Sequence, residues 1–127
     1  MIDFSKGGSF DLRKVSENQL LGDVKQLFIN GEHLIGVYQT VRDQVVFTNK
    51  RIITIDMQGI TGKRKDFFTL PYSRIQYFSI QTPGLNELIP DAELTLFFAD
   101  NMKAEFEFKC SSDIMEIGRA ISSFLLQ

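Results

Sequence analysis

The side chains able to do chemistry are few, and most of them are basic. Lys63, Arg64 and Lys65 follow Gly62 and form the one run of three cations in the chain. Such a run in a loop can meet a phosphate or an acidic partner through charge-assisted hydrogen bonds. Lys50 and Arg51 stand side by side further up the chain, and Arg42 stands alone beside Asp43. Each has an ordinary reading as well: a solvated loop partly neutralised by Asp66, and solvated turns. His33 is the one histidine and Cys110 the one cysteine, which leaves no multi-histidine site and no internal disulfide. Ser111, Ser112 and Asp113 look like a nucleophile cluster but are explained as a helix cap. There is no glycine-rich phosphate loop, no metal-ligand spacing, no recognisable carboxylate pair and no nucleophile elbow. No nucleophile comes with its base, so a hydrolase or transferase is disfavoured. Catalytic residues, metal and cofactor are all expected to be none.

Composition narrows the class further. The 127 residues are 43% hydrophobic and 24% charged, ordinary for one globular domain with a core of its own. A net charge of −2 is the wrong sign for a nucleic-acid protein and for general adhesion to anionic lipid. Twelve Phe with no Trp put the aromatic weight into strand-like segments. Met1–Gly8 has no apolar run, and no stretch approaches the roughly 18 apolar residues of a membrane span. A cytoplasmic location is the expectation.

The elements that must position these groups are mostly strands. The central stretch is Gln44–Met57, two β-rich runs joined at Thr48-Asn49-Lys50-Arg51. Asn49 tolerates the left-handed backbone of a tight turn. With Asn49 and Lys50 as that turn, Phe47 stands opposite Ile52 and Val46 opposite Ile53. Opposed residues share a face. Val46, Ile53, Ile55 and Met57 then form one apolar face, and Phe47 with Ile52 an apolar second face. That second face must be covered, either by an amino-terminal helix or by another subunit.

Residues 1–14 read as a loosely held extension. Ser16–Ile29 reads as an amphipathic helix, with Leu20, Leu21, Val24, Leu27 and Phe28 at helical spacing. Five further strands flank the two of the central hairpin, over 34–41, 65–70, 75–81, 93–99 and 103–109, which makes seven. Lys103–Lys109 alternates most clearly, with Ala104, Phe106 and Phe108 on one face. Leu94, Leu96 and Phe98 are the matching inward set, which leaves Phe97 outward. Ser111–Asp113 then caps a final helix, with Glu116 three residues after Asp113 and Ile114, Ile117, Ile121, Phe124 and Leu125 in one stripe.

The stretch VVFTNKRIITIDMQGITGKRKDFFTLPYSRIQYFSI resembles the bacterial pleckstrin-homology (PH) domain family. The markers are Thr48-Asn49-Lys50-Arg51, Gly59, Gly62-Lys63-Arg64, and Pro71-Tyr72 followed by Ile75. The resemblance covers about residues 32–126. It implies a mainly β fold: a seven-stranded, antiparallel, bent barrel capped by a carboxy-terminal α-helix. Residues 1–31 would be an extension with an extra helix, and 32–127 the PH-like domain. It also implies a non-catalytic module, with some members assembling into homo-oligomeric rings.

Two roles follow. In the first the chain is a self-assembling scaffold whose interface draws on Phe47, Ile52, Phe97, Leu20, Leu27 and Phe28. In the second it is a monomeric adaptor that holds an anionic lipid head group or an acidic peptide through Arg42, Lys50, Arg51, Lys63, Arg64 and Lys65.

Overall fold

The computed structural model describes residues 8–20, 22–41, 43–60, 63–84, 91–109 and 113–127. Leu21, Arg42, Gly62, Cys110 and the Ser111-Ser112 pair lie outside them. In chain order the strands are β1 (Gly8–Val15), β2 (Leu34–Gln39), β3 (Gln44–Thr48), β4 (Arg51–Gln58), β5 (Arg64–Pro71), β6 (Tyr77–Gln81), β7 (Ala92–Phe97) and β8 (Lys103–Lys109), followed by the helix α1 (Ile114–Leu125). They form one sheet in the order β5-β4-β3-β2-β1-β8-β7-β6. Two antiparallel meanders, β2 to β5 and β6 to β8, are thus joined side by side through β1.

The two-residue turn sets the register of the central hairpin. Phe47 pairs with Ile52 and Val46 with Ile53, as the sequence implies. The Asn49 side chain fixes the turn by accepting from His33 N–H at 2.8 Å and donating to the Gly31 carbonyl at 3.0 Å. Asp100 and Asn101, with φ of 62° and 59°, make the tight connection from β7 to β8. Residues of this type tolerate that left-handed backbone.

The described residues form eight strands rather than seven. The segment expected to be a loose extension contains β1, which runs parallel to β8 over Gly8↔Ala104 to Arg13↔Lys109 and antiparallel to β2 over Arg13–Val15. A division at residue 31/32 therefore cuts through a sheet, not between domains. Leu12 on β1 is fully buried in the main core. The expected helix over Ser16–Ile29 is also different. It is two short 3-10 turns, Glu17–Gln19 and Gly22–Leu27. Leu20 between them takes an extended backbone and turns its side chain onto the sheet.

The faces of the hairpin are reversed from expectation. Phe47 and Ile52 are fully buried in the barrel interior with Tyr38, Leu94, Phe106, Phe108 and Ile117. Val46, Ile53 and Ile55 lie on the outer face, under Leu20 and Val24. Both faces are apolar, and the larger Phe47 ring goes to the side where Tyr38, Phe106 and Phe108 meet it at centroid distances of 5.6–5.9 Å. The amino-terminal segment does cover an outer apolar face, but it is the face of Val46.

α1 closes the barrel through Ile114, Ile117 and Ile121, all buried. Asp113 stands at its N-cap position without making a capping bond. Its carboxylate instead accepts from the buried Tyr38 hydroxyl at 2.7 Å and pairs with Lys14 Nζ at 2.7 Å. This clip ties the start of the helix to β1 and β2. Gly36 makes it possible: a Cβ there would lie 2.9 Å from Asp113 Oδ2. No helix among the described residues is long and apolar enough to cross a membrane.

Candidate functional site

The six basic candidates do not gather. Lys50 and Arg51 sit at one end of β4, and Lys63, Arg64 and Lys65 at the other, since Arg51 pairs with Pro71 and Gln58 with Arg64. Seven strand steps at about 3.3 Å each separate the two groups by roughly 23 Å. Arg42 lies outside the described residues.

Two of the cations already have partners. Arg51 bends over its own turn and donates to both oxygens of Glu32, with Nη2 3.0 Å from Oε1 and Nε 3.0 Å from Oε2. It also donates to Thr69 Oγ1 at 3.2 Å and to the Leu27 carbonyl. The Glu32 side chain is fully buried. Burial alone would push its pKa up. Hydrogen bonds from Arg51, Thr48 and the Ile29 N–H, with the Arg51 charge, hold it below the ordinary value instead. Thr48 connects this cluster to the core, because its carbonyl accepts from the buried Tyr72 hydroxyl at 2.6 Å. Lys65 pairs with Asp23 at 3.1 Å and so fastens the second 3-10 turn to β5. Lys63 and Arg64 are exposed and Lys50 is half-buried.

A cleft of about 580 Å3 opens where β1 and β2 diverge. Arg13 and Lys109 line it, together with Asp11 and the polar end of β2. Lys109 is held in its charged form by Glu107 and Asp91, at 2.9 and 3.2 Å. Its charge is therefore already matched.

The apolar surface is more telling. Leu27 and Ile29 are exposed beside β5, where Arg51 links the Leu27 carbonyl to Thr69. Phe68 of β5 is also partly exposed. At the other end of the strand order, Tyr77 of β6 stacks on Phe97 of β7, with centroids 4.6 Å apart and planes 14° from parallel. Tyr77 is 61% exposed. Of the six expected interface residues, Leu27, Phe28 and Phe97 lie at the surface or half-buried, whereas Phe47, Ile52 and Leu20 are core.

Sequence reasoning did not single out the groove between β6 and α1. It measures about 390 Å3 and is lined by Phe78, Ile80, Met115, Gly118, Arg119 and the Ser122-Ser123 pair. One signal pointed there: Met115 and Arg119 fall off the buried stripe of α1. Among the described residues, no group of three His, Cys, Asp or Glu could hold a metal ion.

A bent sheet filled with aromatic side chains and closed by one carboxy-terminal helix is the architecture of a PH-like barrel. The chain belongs to the bacterial PH domain family, whose model matches residues 4–125. That span includes β1 and so supports the single unit seen in the sheet. A protein with a pleckstrin-homology domain from Shewanella loihica superposes with a TM-score of 0.66 at 32% identity, over 91% of this chain and 98% of that one. A pleckstrin homology domain from Shewanella amazonensis gives 0.56 at 33% identity, over 89% and 90%. The uncharacterized protein YozO of Bacillus subtilis is 32% identical over 96% of both chains.

Proposed function

We propose that the chain is a non-catalytic module that assembles with copies of itself into a closed ring. One observation carries this reading: two unlike apolar patches sit at the two ends of the strand order. Leu27 and Ile29 lie beside β5, and the Tyr77–Phe97 stack lies on β6 and β7. Exposed apolar clusters on a soluble domain mark interaction surfaces. Two different patches that fit one another make a head-to-tail contact, and a head-to-tail contact that closes gives cyclic symmetry. The separation of the basic residues and the pairing of Arg51 and Lys65 weaken the reading as an anion-binding adaptor.

Light scattering coupled to size exclusion tests this. The expected result is a discrete multiple of 14.5 kDa, reduced to the single-chain mass by Tyr77→Glu or Leu27→Glu. A single-chain mass for the unaltered protein at micromolar concentration refutes the assembly.

A further inference from the structure

Asn30-Gly31 is the one Asn-Gly pair in the chain, and it forms an exposed bend between the second 3-10 turn and β2. The Glu32 N–H bonds to the Ile29 carbonyl at 3.0 Å and Gly31 takes a φ of 82°, which makes residues 29–32 a type II turn. The bend is clasped from both sides. Glu32 Oε1 accepts from the Ile29 N–H at 3.0 Å, and the Asn49 side chain donates to the Gly31 carbonyl at 3.0 Å. Two groups stay outside this clasp: among the described residues, neither the Asn30 carboxamide nor the Gly31 N–H has a hydrogen-bond partner. A Cβ at Gly31 would meet nothing within 4 Å, so the surroundings are open. Asn18 and Asn101 are exposed too, but Gln19 and Met102 follow them, with side chains that hinder approach to the next main-chain nitrogen.

We propose that Asn30 is a self-modifying site, deamidated by attack of the Gly31 nitrogen, and that the product weakens the Leu27–Ile29 contact of the ring. In the first step the bond from Gly31 N to Asn30 Cγ forms and the Cγ–Nδ2 bond breaks. Ammonia leaves with the Gly31 amide proton, and a succinimide remains. Water then opens it at Cγ, giving aspartate, or at the main-chain carbonyl, giving isoaspartate. Water is the only co-reactant and nothing is oxidised. Attack needs a rotation about the Asn30 Cα–C bond, away from the roughly 120° of a type II turn. Glycine permits the swing of the following peptide, but the bond from Asn49 to the Gly31 carbonyl must open, so the clasp sets the rate. Either product puts a carboxylate beside the exposed Ile29. A charge there must be desolvated when the apolar contact forms, which opposes assembly. Isoaspartate also lengthens the main chain between Ile29 and Glu32, whose two mutual bonds hold the turn. The effect on assembly rests on the ring proposed above; the chemistry does not.

The test is incubation of the full chain at neutral and mildly alkaline pH. It is followed by peptide mapping, by labelling with an isoaspartyl methyltransferase, and by native mass. Deamidation and label are expected at residue 30 ahead of Asn18 and Asn101, faster at the higher pH, and absent there in Asn30→Gln. Asn49→Asp keeps an acceptor for the His33 N–H and loses the donor to Gly31. It is expected to react about threefold faster or more, the opening gained by losing one hydrogen bond. Aged wild type and fresh Asn30→Asp are expected to fall toward the single-chain mass, while aged Asn30→Gln stays assembled. An intact residue 30, earlier reaction at Asn18 or Asn101, or an unchanged rate in Asn49→Asp overturns the site. Aged wild type and Asn30→Asp that assemble like the fresh protein overturn its effect on the contact. A single-chain mass for fresh wild type refutes the ring, and the labelling then judges the site on its own.

Discussion

Arg51→Ala is expected to destabilise the fold by about 3 kcal/mol at pH 7 and by clearly less in acid. The Glu32 side chain has no solvent exposure and the Arg51 side chain is 16% exposed. Removing one partner of a buried ion pair typically costs about 3–5 kcal/mol, because the other charge is left without compensation. Here the lower end applies, since Glu32 keeps bonds from Thr48 Oγ1 at 2.7 Å and Ile29 N–H at 3.0 Å. For a chain of this length that is a fall in Tm of roughly 10 °C.

The pH dependence follows from the direction of the Glu32 shift. A carboxyl held below its ordinary value of 4.5 stabilises the fold above that value and loses the contribution as pH falls through the folded one. Protonated Glu32 has less need of Arg51, so the difference between wild type and variant shrinks toward pH 3. Urea denaturation of both proteins at pH 7 and pH 3.5 measures it. Equal midpoints at pH 7, or a difference that grows in acid, would show that the pair does not stabilise the fold in this way.

Phe47→Ala is expected to cost about 3–5 kcal/mol, as for a fully buried aromatic residue, and to leave native mass unchanged. A changed mass with unchanged stability would return Phe47 to an interface. Asp43→Asn is expected to be at least as stable as wild type at pH 7. Burial, and then the nearby Asp56, hold the Asp43 carboxyl above its ordinary value of 3.8. Its contribution to stability is thus present below that value and lost as pH rises through the raised one. The amide oxygen can still accept from Met57 N–H, as Asp43 Oδ1 does at 3.2 Å. Urea midpoints at pH 7 and pH 3 check this, and a variant clearly weaker at pH 7 refutes it.

The hairpin register, β8 and α1 could be read from the chain because each has a strong local signal. Asn49 marks a turn, Lys103–Lys109 alternates, and Ile114, Ile117 and Ile121 repeat at helical spacing. The orientation of β3 and β4 could not be read, because residues on both faces are apolar and only the aromatic partners on β2 and β8 decide between them. β1 was hidden for another reason. It pairs in parallel with a strand at the far end of the chain, so no turn announces it, and its Asp11, Arg13 and Lys14 resemble solvated loop. The groove could not be read either, since it depends on how closely Gly118 lets a helix approach a strand distant in sequence.

The position of β1 has a consequence for how the chain reaches its native state. Gly8 pairs with Ala104, 96 positions later. By (3/2)RT ln n, closing a loop of that length takes about 4 kcal/mol of chain entropy before any contact repays it. β1 is made before the other strands of this sheet and must therefore wait for β8. Folding of this chain should be slow for its size, as expected of high contact order. Until β8 arrives, the flanks of β2 that β1 will cover are open to neighbouring chains, and a chaperone would have most to do during that interval.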